Sequence, residues 1–237
     1  MPNVTLPLDA FEQQRVTELR LAQSKAEQLF REVDQRSLIR AGISESQLNA
    51  EIYDLAREMY GITTYWHKRI VRAGANTLAP YAEDPPDLTI GDDDILFLDL
   101  GPIFEEWEAD FGRTFVIGTD PLKIKLRDDI GRAFAEGKRY FLETPDIIAS
   151  QLYAYVVSLA HRFGWEFGGR IAGHLIGHFP HEKIPGDKIT LYIHPESHLP
   201  MRSLNEEGQK RHWILEIHFV DREHRIGGFF EELLTVN

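Results

Sequence analysis

The sequence predicts an α+β domain, and three observations carry that prediction. Apolar residues recur at spacings of three and four in two separate blocks of the chain. They alternate with polar residues, or run continuously, in two others. The blocks follow one another as helices, strands, helices, strands, not as repeated βα units. At 237 residues, with 43% hydrophobic and 27% charged, the chain suits one globular domain of about 200–250 residues. No linker rich in Pro, Gly or Ser divides it, so residues 1–237 are read as a single domain.

From about Asp9 to Arg40 the residues Val16, Leu19, Ala22, Ala26, Leu29, Phe30 and Val33 form one helical stripe, ended by Ala41-Gly42. Ser44 with Gln47 three residues on is a capping box. Leu48, Ile52, Leu55 and Met59 then supply a buried face and Gly61 stops the helix. These N-terminal helices occupy about 9–60, and the chemistry is expected in about 66–237. The run Ile95 to Leu100 is apolar except for Asp99, and Trp107 to Ile117 is a second β-rich run. Together they predict an antiparallel hairpin with a long connection. Helices are expected again over about Pro121–Phe141 and Pro145–Phe163, the second starting at Thr144-Pro145 with a hydroxyl cap and a fixed φ. Ile189, Leu191 and Ile193 alternate with polar positions and predict a strand. Trp213, Leu215, Ile217 and Phe219 alternate with Ile214, Glu216, His218 and Val220 in another. The last strand is read as Phe229–Val236, and Glu83-Asp84-Pro85-Pro86-Asp87 as a surface loop.

Composition removes several classes of function. The chain has no cysteine, so disulfides, a thiolate nucleophile and thiolate metal sites are excluded, and any metal must be held by Asp, Glu and His. The net charge of −12 argues against a nucleic-acid partner, which favours a basic field. The basic cluster Lys68, Arg69 and Arg72 reads as a solvated face. No segment approaches the ~18 apolar residues of a membrane span, and no targeting segment is visible, so a soluble, cytoplasmic protein is expected.

The informative feature is acids inside apolar strands. Asp99 lies in ILFLDLG, Asp110 in EADFGRTF, Glu216 in WILEIHFV, and Glu231 with Glu232 in GGFFEELLTV; His174 lies in AGHLIGHFPHE. A buried carboxylate must be paired, protonated or bound to a cation, because an unpaired buried charge is costly. Several carboxylates and a histidine on β segments make a ligand set for divalent metals bridged by carboxylates.

These motifs resemble the methionine aminopeptidase, aminopeptidase P, prolidase and creatinase superfamily, whose pita-bread fold is a curved antiparallel sheet flanked by helices. FLDLGP is similar to the family's first Asp motif and EADFGRTF to its second, with the family's eleven-residue spacing. GHLIGHFPHEKIP resembles its Gly-His-x-Ile-Gly stretch, and LEIHFV and GFFEELLTV stand at its two Glu positions. The order Asp, Asp, His, Glu, Glu is kept from about Lys25 to the C-terminus. The resemblance implies a catalytic domain without the N-terminal domain of larger members. It implies two divalent ions (Mn, Co, Fe or Zn) on Asp99, Asp110, His174, Glu216 and Glu231, with Asp110 and Glu231 bridging both. It also implies hydrolysis through a metal-bridging hydroxide. Glu216 would take a proton from that water, and His181 would polarise the scissile carbonyl. The reaction would remove an N-terminal residue from a short peptide, X-Pro peptides among the candidates. Hydrolysis or lysis of a small amide or other polar molecule is the alternative, and a metal-free binding module ranks last. No nucleic-acid or membrane partner is expected, and a homodimer stays open.

Three departures from the family stand out. The family's Pro-His, about 18 residues before the first Asp, is here Pro80-Tyr81. Tyr81 is therefore assigned the place of that catalytic His, as a phenol able to donate a hydrogen bond but with an ordinary pKa of ~10 against ~6.5. His67 in YWHKR is the alternative occupant, although a surface position beside Lys68 and Arg69 is favoured for it. Ile217-His218 replaces the usual Pro-Gly after the first Glu. Fifteen residues separate Glu216 from Glu231, and Glu232 stays open as the last ligand because strand parity is unknown. His178 is read as a loop residue. His218, on the face of Glu216, is read as either a support of the site or a packing residue.

Overall fold

The computed structural model describes residues 8–180 and 188–236. Four α-helices, α1 (Leu8–Gln35), α2 (Glu45–Tyr60), α3 (Pro121–Glu143) and α4 (Ala149–Phe163), accompany eight strands. The strands are β1 (Ile70–Ala73), β2 (Asp94–Leu100), β3 (Ile103–Phe104), β4 (Trp107–Glu108), β5 (Phe111–Ile117), β6 (Glu166–Phe167), β7 (Ile214–Asp221) and β8 (Ile226–Leu233). Six of them form one antiparallel sheet in the order β1-β2-β5-β8-β7-β6, and β3 pairs with β4 in a small hairpin inside the β2–β5 connection.

The helical stripes and strand alternation explain the layering. Leu19, Ala22, Ala26, Leu29, Phe30 and Val33 of α1 are buried. From Ala22 onward they pack with Leu48, Ile52 and Leu55 of α2 against Leu96, Leu98, Leu100 and Phe111. On the other half, Leu126, Ile130 and Phe134 of α3 and Leu152, Val156 and Leu159 of α4 cover Leu215, Ile217 and Phe219. Helix α2 starts at Ser44, whose hydroxyl accepts from the Gln47 amide at 3.2 Å, but the Gln47 side chain donates to Glu51 and leaves the capping box half made; the helix ends at Gly61 with φ 69°.

Four elements differ from expectation. Helix α1 ends at Gln35, short of Arg40, where Ser37 turns the chain with φ 53°. Thr144 caps the C-terminus of α3 and does not begin α4; Pro145 acts as the stop that follows a helix end. Helix α4 begins at Ala149, where the Ala149 and Ser150 amides donate to the carbonyls of Leu199 and Ser197. A segment fifty residues away thus does the work expected of a hydroxyl cap. Ile189–Leu191 is a 3₁₀ turn and not a strand, with Leu191 and Ile193 buried and Ile189 exposed. The last strand begins at Ile226, three residues before the expected Phe229.

Glu45, missed in the sequence, ties α2 to the sheet. Its buried carboxylate accepts from the Ala73 amide at 2.5 Å, Asn76 Nδ2 at 2.8 Å and the Leu88 amide at 3.1 Å. Burial pushes its pKa up while these donors pull it down. Removing the acceptor shared by these three donors, Glu45→Ala is expected to cost about 2–4 kcal/mol. Urea unfolding at unchanged m-value measures the loss, and a change under about 0.5 kcal/mol would refute the tie.

Candidate metal centre

Register brings the site together. Asp99 pairs with Gly112, Gly112 with Glu231, and Glu231 with Glu216, across β2, β5, β8 and β7. Directly paired residues point to one face of a sheet, so the three carboxylates lie in one row, with a gap at Gly112 where no side chain intervenes. Asp110, two residues before Gly112, approaches the same face just ahead of β5. Glu232 has the opposite parity and forms an ion pair with Arg113. Glu231 is therefore the acid on the site face. Phe97, Phe229 and Ile70 pack together next to this row. His218 joins Phe97 and Phe229 by ring contacts and its Nε2 meets the Thr77 carbonyl at 2.7 Å, a supporting position and not a ligand position.

His174 arrives from the segment that runs beside β7. The Ile214 amide donates to the His174 carbonyl at 2.8 Å and the Glu216 amide to Ala172 at 3.1 Å. Gly173 has φ +134°, and a Cβ there would meet the Ile214 carbonyl oxygen at 2.1 Å. Gly173→Ala is expected to push His174 out of the site and to destabilise the protein by about 3 kcal/mol or more, because clash and left-handed strain add. A melting temperature within 2 °C of wild type, on the roughly 2–4 °C per kcal/mol scale, would contradict this.

The side chains converge. His174 Nε2 lies 2.9 Å from Asp110 Oδ2 and 3.6 Å from Glu231 Oε1. His67 Nε2 lies 3.2 Å from Asp110 Oδ1 and 3.5 Å from Asp99 Oδ1. Glu216 stands beside Glu231 through the pairing of β7 with β8. Two overlapping groups have potential ligand atoms within 4.8 Å of one another: His67, Asp99 and Asp110, and Asp110, His174 and Glu231. Asp99 Oδ1 and Glu231 Oε2 are buried without a hydrogen-bond partner among the described residues. Oxygen and imidazole donors with orphaned carboxylate oxygens fit a divalent cation.

Electrostatics say the same. Burial pushes the Asp99 and Glu216 carboxyls up to about 7, against the pull of His67 and His174 respectively. Glu231 rises well above its usual value, first by burial and then through Asp110 and Asp99. Burial works against Asp110 too, but His67 and His174, each bonded to it, hold it below the ordinary range. Burial opposes charge on His67, yet Asp110 and Asp99 raise it to about 9. His174 is raised likewise, its burial outweighed by Asp110 and Glu231. Without a cation, protons on the imidazoles and carboxyls neutralise the cluster.

The surface position favoured for His67 is thus wrong: its side chain is 7% exposed and sits among the acids. The chain at Tyr65–Trp66 folds over Gly101–Pro102, with the Trp66 amide donating to Gly101 at 3.0 Å and Tyr65 bridging Pro102. A Cβ at Gly101 would lie 2.2 Å from His67 Cδ2, so the Gly of FLDLGP opens room for the imidazole. Tyr81 is half exposed at the rim, its ring edge-on to His67 at 6.0 Å. His178 is exposed and bonds to Glu106, as a loop residue does. His181 lies outside the described residues.

A carboxylate-lined candidate metal centre on one face of an antiparallel sheet, whose other face is covered by the helices, defines the class. Residues 17–207 match the model of metallopeptidase family M24, and the chain belongs to that family. Similar solved structures include prolidase from Thermococcus sibiricus, with TM-score 0.76 and 18% identity, over 95% of this chain and 57% of that one. The dipeptidase of Pyrococcus horikoshii OT3 has TM-score 0.73 and 21% identity, over 93% and 56%. X-Pro aminopeptidase from Thermotoga maritima MSB8 has TM-score 0.73 and 20% identity, over 97% and 65%. The likeness carries the fold, the α+β pita-bread architecture expected from the sequence, and the chain spans less than two thirds of these structures' length. No curated protein matches in sequence. Among the described residues no helix is long and apolar enough to cross a membrane.

Proposed function

We propose that the protein is a dinuclear-metal hydrolase of the aminopeptidase kind, releasing the N-terminal residue of a short peptide, with X-Pro peptides as leading candidates. The observation that carries this reading is Asp110, whose two oxygens face separate groups of ligand atoms. Asp99 would hold one ion and His174 with Glu216 the other, Asp110 and Glu231 serving both. Mn, Co, Fe and Zn all suit such donors. When bound, the ions would supply Lewis acidity and a water acidified toward neutrality. Glu216, beside Glu231 in the row of acids, is proposed to take a proton from that water. His181 is proposed to hold the scissile carbonyl, and Tyr81 at the rim to donate a hydrogen bond toward the leaving side.

A second reading keeps the metals but exchanges the peptide for a small amide. It is favoured by Tyr81, half exposed where the family carries a histidine. The test is release of free amino acid from X-Pro and Met peptides, beside hydrolysis of small amides, by protein loaded with Mn²⁺, Co²⁺ or Zn²⁺. Peptide turnover removed by chelator and restored by the ion is the expected result. Turnover of amides alone would replace the first reading by the second.

A further inference from the structure

The two imidazoles of the site are built alike. His174 Nδ1 lies 2.8 Å from the carbonyl of the next residue, Leu175, and His67 Nδ1 lies 2.7 Å from the carbonyl of the next residue, Lys68. A ring nitrogen facing a carbonyl carries the proton, which leaves Nε2 of each neutral ring with a lone pair. Both Nε2 atoms face Asp110, on opposite oxygens. An imidazole fixed by an Nδ1–H to backbone carbonyl bond, with Nε2 toward carboxylates, is how proteins orient a metal-ligating histidine. We propose that His67 is a sixth protein ligand: its Nε2 binds the ion held by Asp99 and Asp110, so that each ion has one imidazole.

Three further features support the assignment. Asp99 Oδ1 is buried and makes no hydrogen bond among the described residues, although His67 Nε2 is 3.5 Å away. A cation between them satisfies both. Trp66 locks the segment from the other side, its ring edge-on to His67 at 4.5 Å and its Nε1 donating to the Ala109 carbonyl at 3.1 Å, beside Asp110. The ring of Trp66 also touches that of His174 at 5.1 Å, so one indole buttresses both imidazoles. Gly101 leaves the space that His67 fills. The chemical consequence is a nitrogen donor at a position otherwise served by carboxylates. That shifts preference from Mn²⁺ and Mg²⁺ toward Co²⁺ and Zn²⁺.

The inference rests on the metal reading of the site, and the experiment separates the two. Co²⁺ binding to the full chain is followed by calorimetry and visible absorption in wild type, His67→Ala, His174→Ala and His67→Cys. Wild type is expected to bind two Co²⁺. His67→Ala should weaken one site by at least the ~10–100-fold that loss of an outer partner costs and leave the other within twofold, while His174→Ala weakens the other one. The chain has no cysteine, so His67→Cys introduces a single thiolate. A thiolate-to-Co²⁺ charge-transfer band in the near ultraviolet then reports direct ligation, with no need for activity. Circular dichroism in chelator checks that each variant is folded, and His67→Cys carries the test if His67→Ala is not. Co²⁺ affinity untouched by His67→Ala, or a folded His67→Cys that binds Co²⁺ without the band, overturns the inference alone. Wild type that binds no divalent ion overturns the inference together with the reading of the site.

Discussion

Asp110→Asn is expected to abolish tight binding of divalent ions and to lower hydrolysis at least about a thousandfold. Among the described residues Asp110 is the one carboxylate in contact with both imidazoles, through Oδ1 to His67 and Oδ2 to His174. It is also the one held ionised, its pKa kept low by those two rings while Asp99, Glu216 and Glu231 are pushed up. An amide offers one acceptor oxygen, and its NH₂ must face the second group of donors. That removes a bridging charge and sets a donor against the side where a cation is needed. A thousandfold is about 4 kcal/mol, within the several kcal/mol that a metal's charge stabilisation is worth. Asn is close in volume to Asp, so packing around Ala109 and Phe111 should hold. Calorimetric titration with Co²⁺ and initial rates on the best substrate read the two effects. Ion affinity within tenfold of wild type would show that Asp110 is not shared between the two groups.

Much of this centre was legible in the sequence, and the physical reason is narrow. Asp99, Glu216 and Glu231 are charges in otherwise apolar strands, a pattern that stands out because buried charge must be compensated. Family resemblance supplied Asp110 and His174. What could not be read was anything decided by contacts between distant segments. His67 sits in a run with Trp66, Lys68 and Arg69 that looks like surface. Its burial depends on the chain crossing Gly101–Pro102, thirty-odd residues on. The choice between Glu231 and Glu232 needed the register with Gly112 and the ion pair of Glu232 with Arg113. Thr144-Pro145 reads equally well as a helix start or a helix stop. The carbonyls of Ser197 and Leu199 decide it by receiving the first amides of α4. Ile189, Leu191 and Ile193 show a strand period, yet a 3₁₀ turn buries two of the three without a ladder.

Removing divalent ions should lower the melting temperature by roughly 8–16 °C, and the drop should be larger at pH 8.5 than at pH 6. With free ion at 1,000 times its Kd, linkage stabilises the folded state by about 4 kcal/mol. At about 2–4 °C per kcal/mol for a chain of this size, that is the quoted range. The pH dependence follows from the direction of each shift. Asp99 and Glu216 titrate at about 7 in the folded protein against ~4 unfolded. Their protons stabilise the metal-free fold fully below pH ~4, and that contribution is lost as pH rises through 7. His67 titrates at about 9 against ~6.5 unfolded, so its contribution is present below ~6.5 and lost as pH rises through 9. Asp110, shifted down, contributes above pH ~4 and is level across this window. His218, buried and lowered to about 4, contributes fully above ~6.5 and loses that contribution only as pH falls toward 4. From pH 6.5 to 9 the shifts that still change with pH weaken the metal-free protein. The same deprotonations free carboxylate oxygens and imidazole nitrogens for the cation, so the gain from metal rises as the metal-free fold weakens. Thermal melts with chelator and with 1 mM Mn²⁺ or Co²⁺, at pH 6 and pH 8.5, measure both effects. A metal-induced shift that is equal at the two pH values, or larger at pH 6, would show that cation and protons do not compete for this cluster.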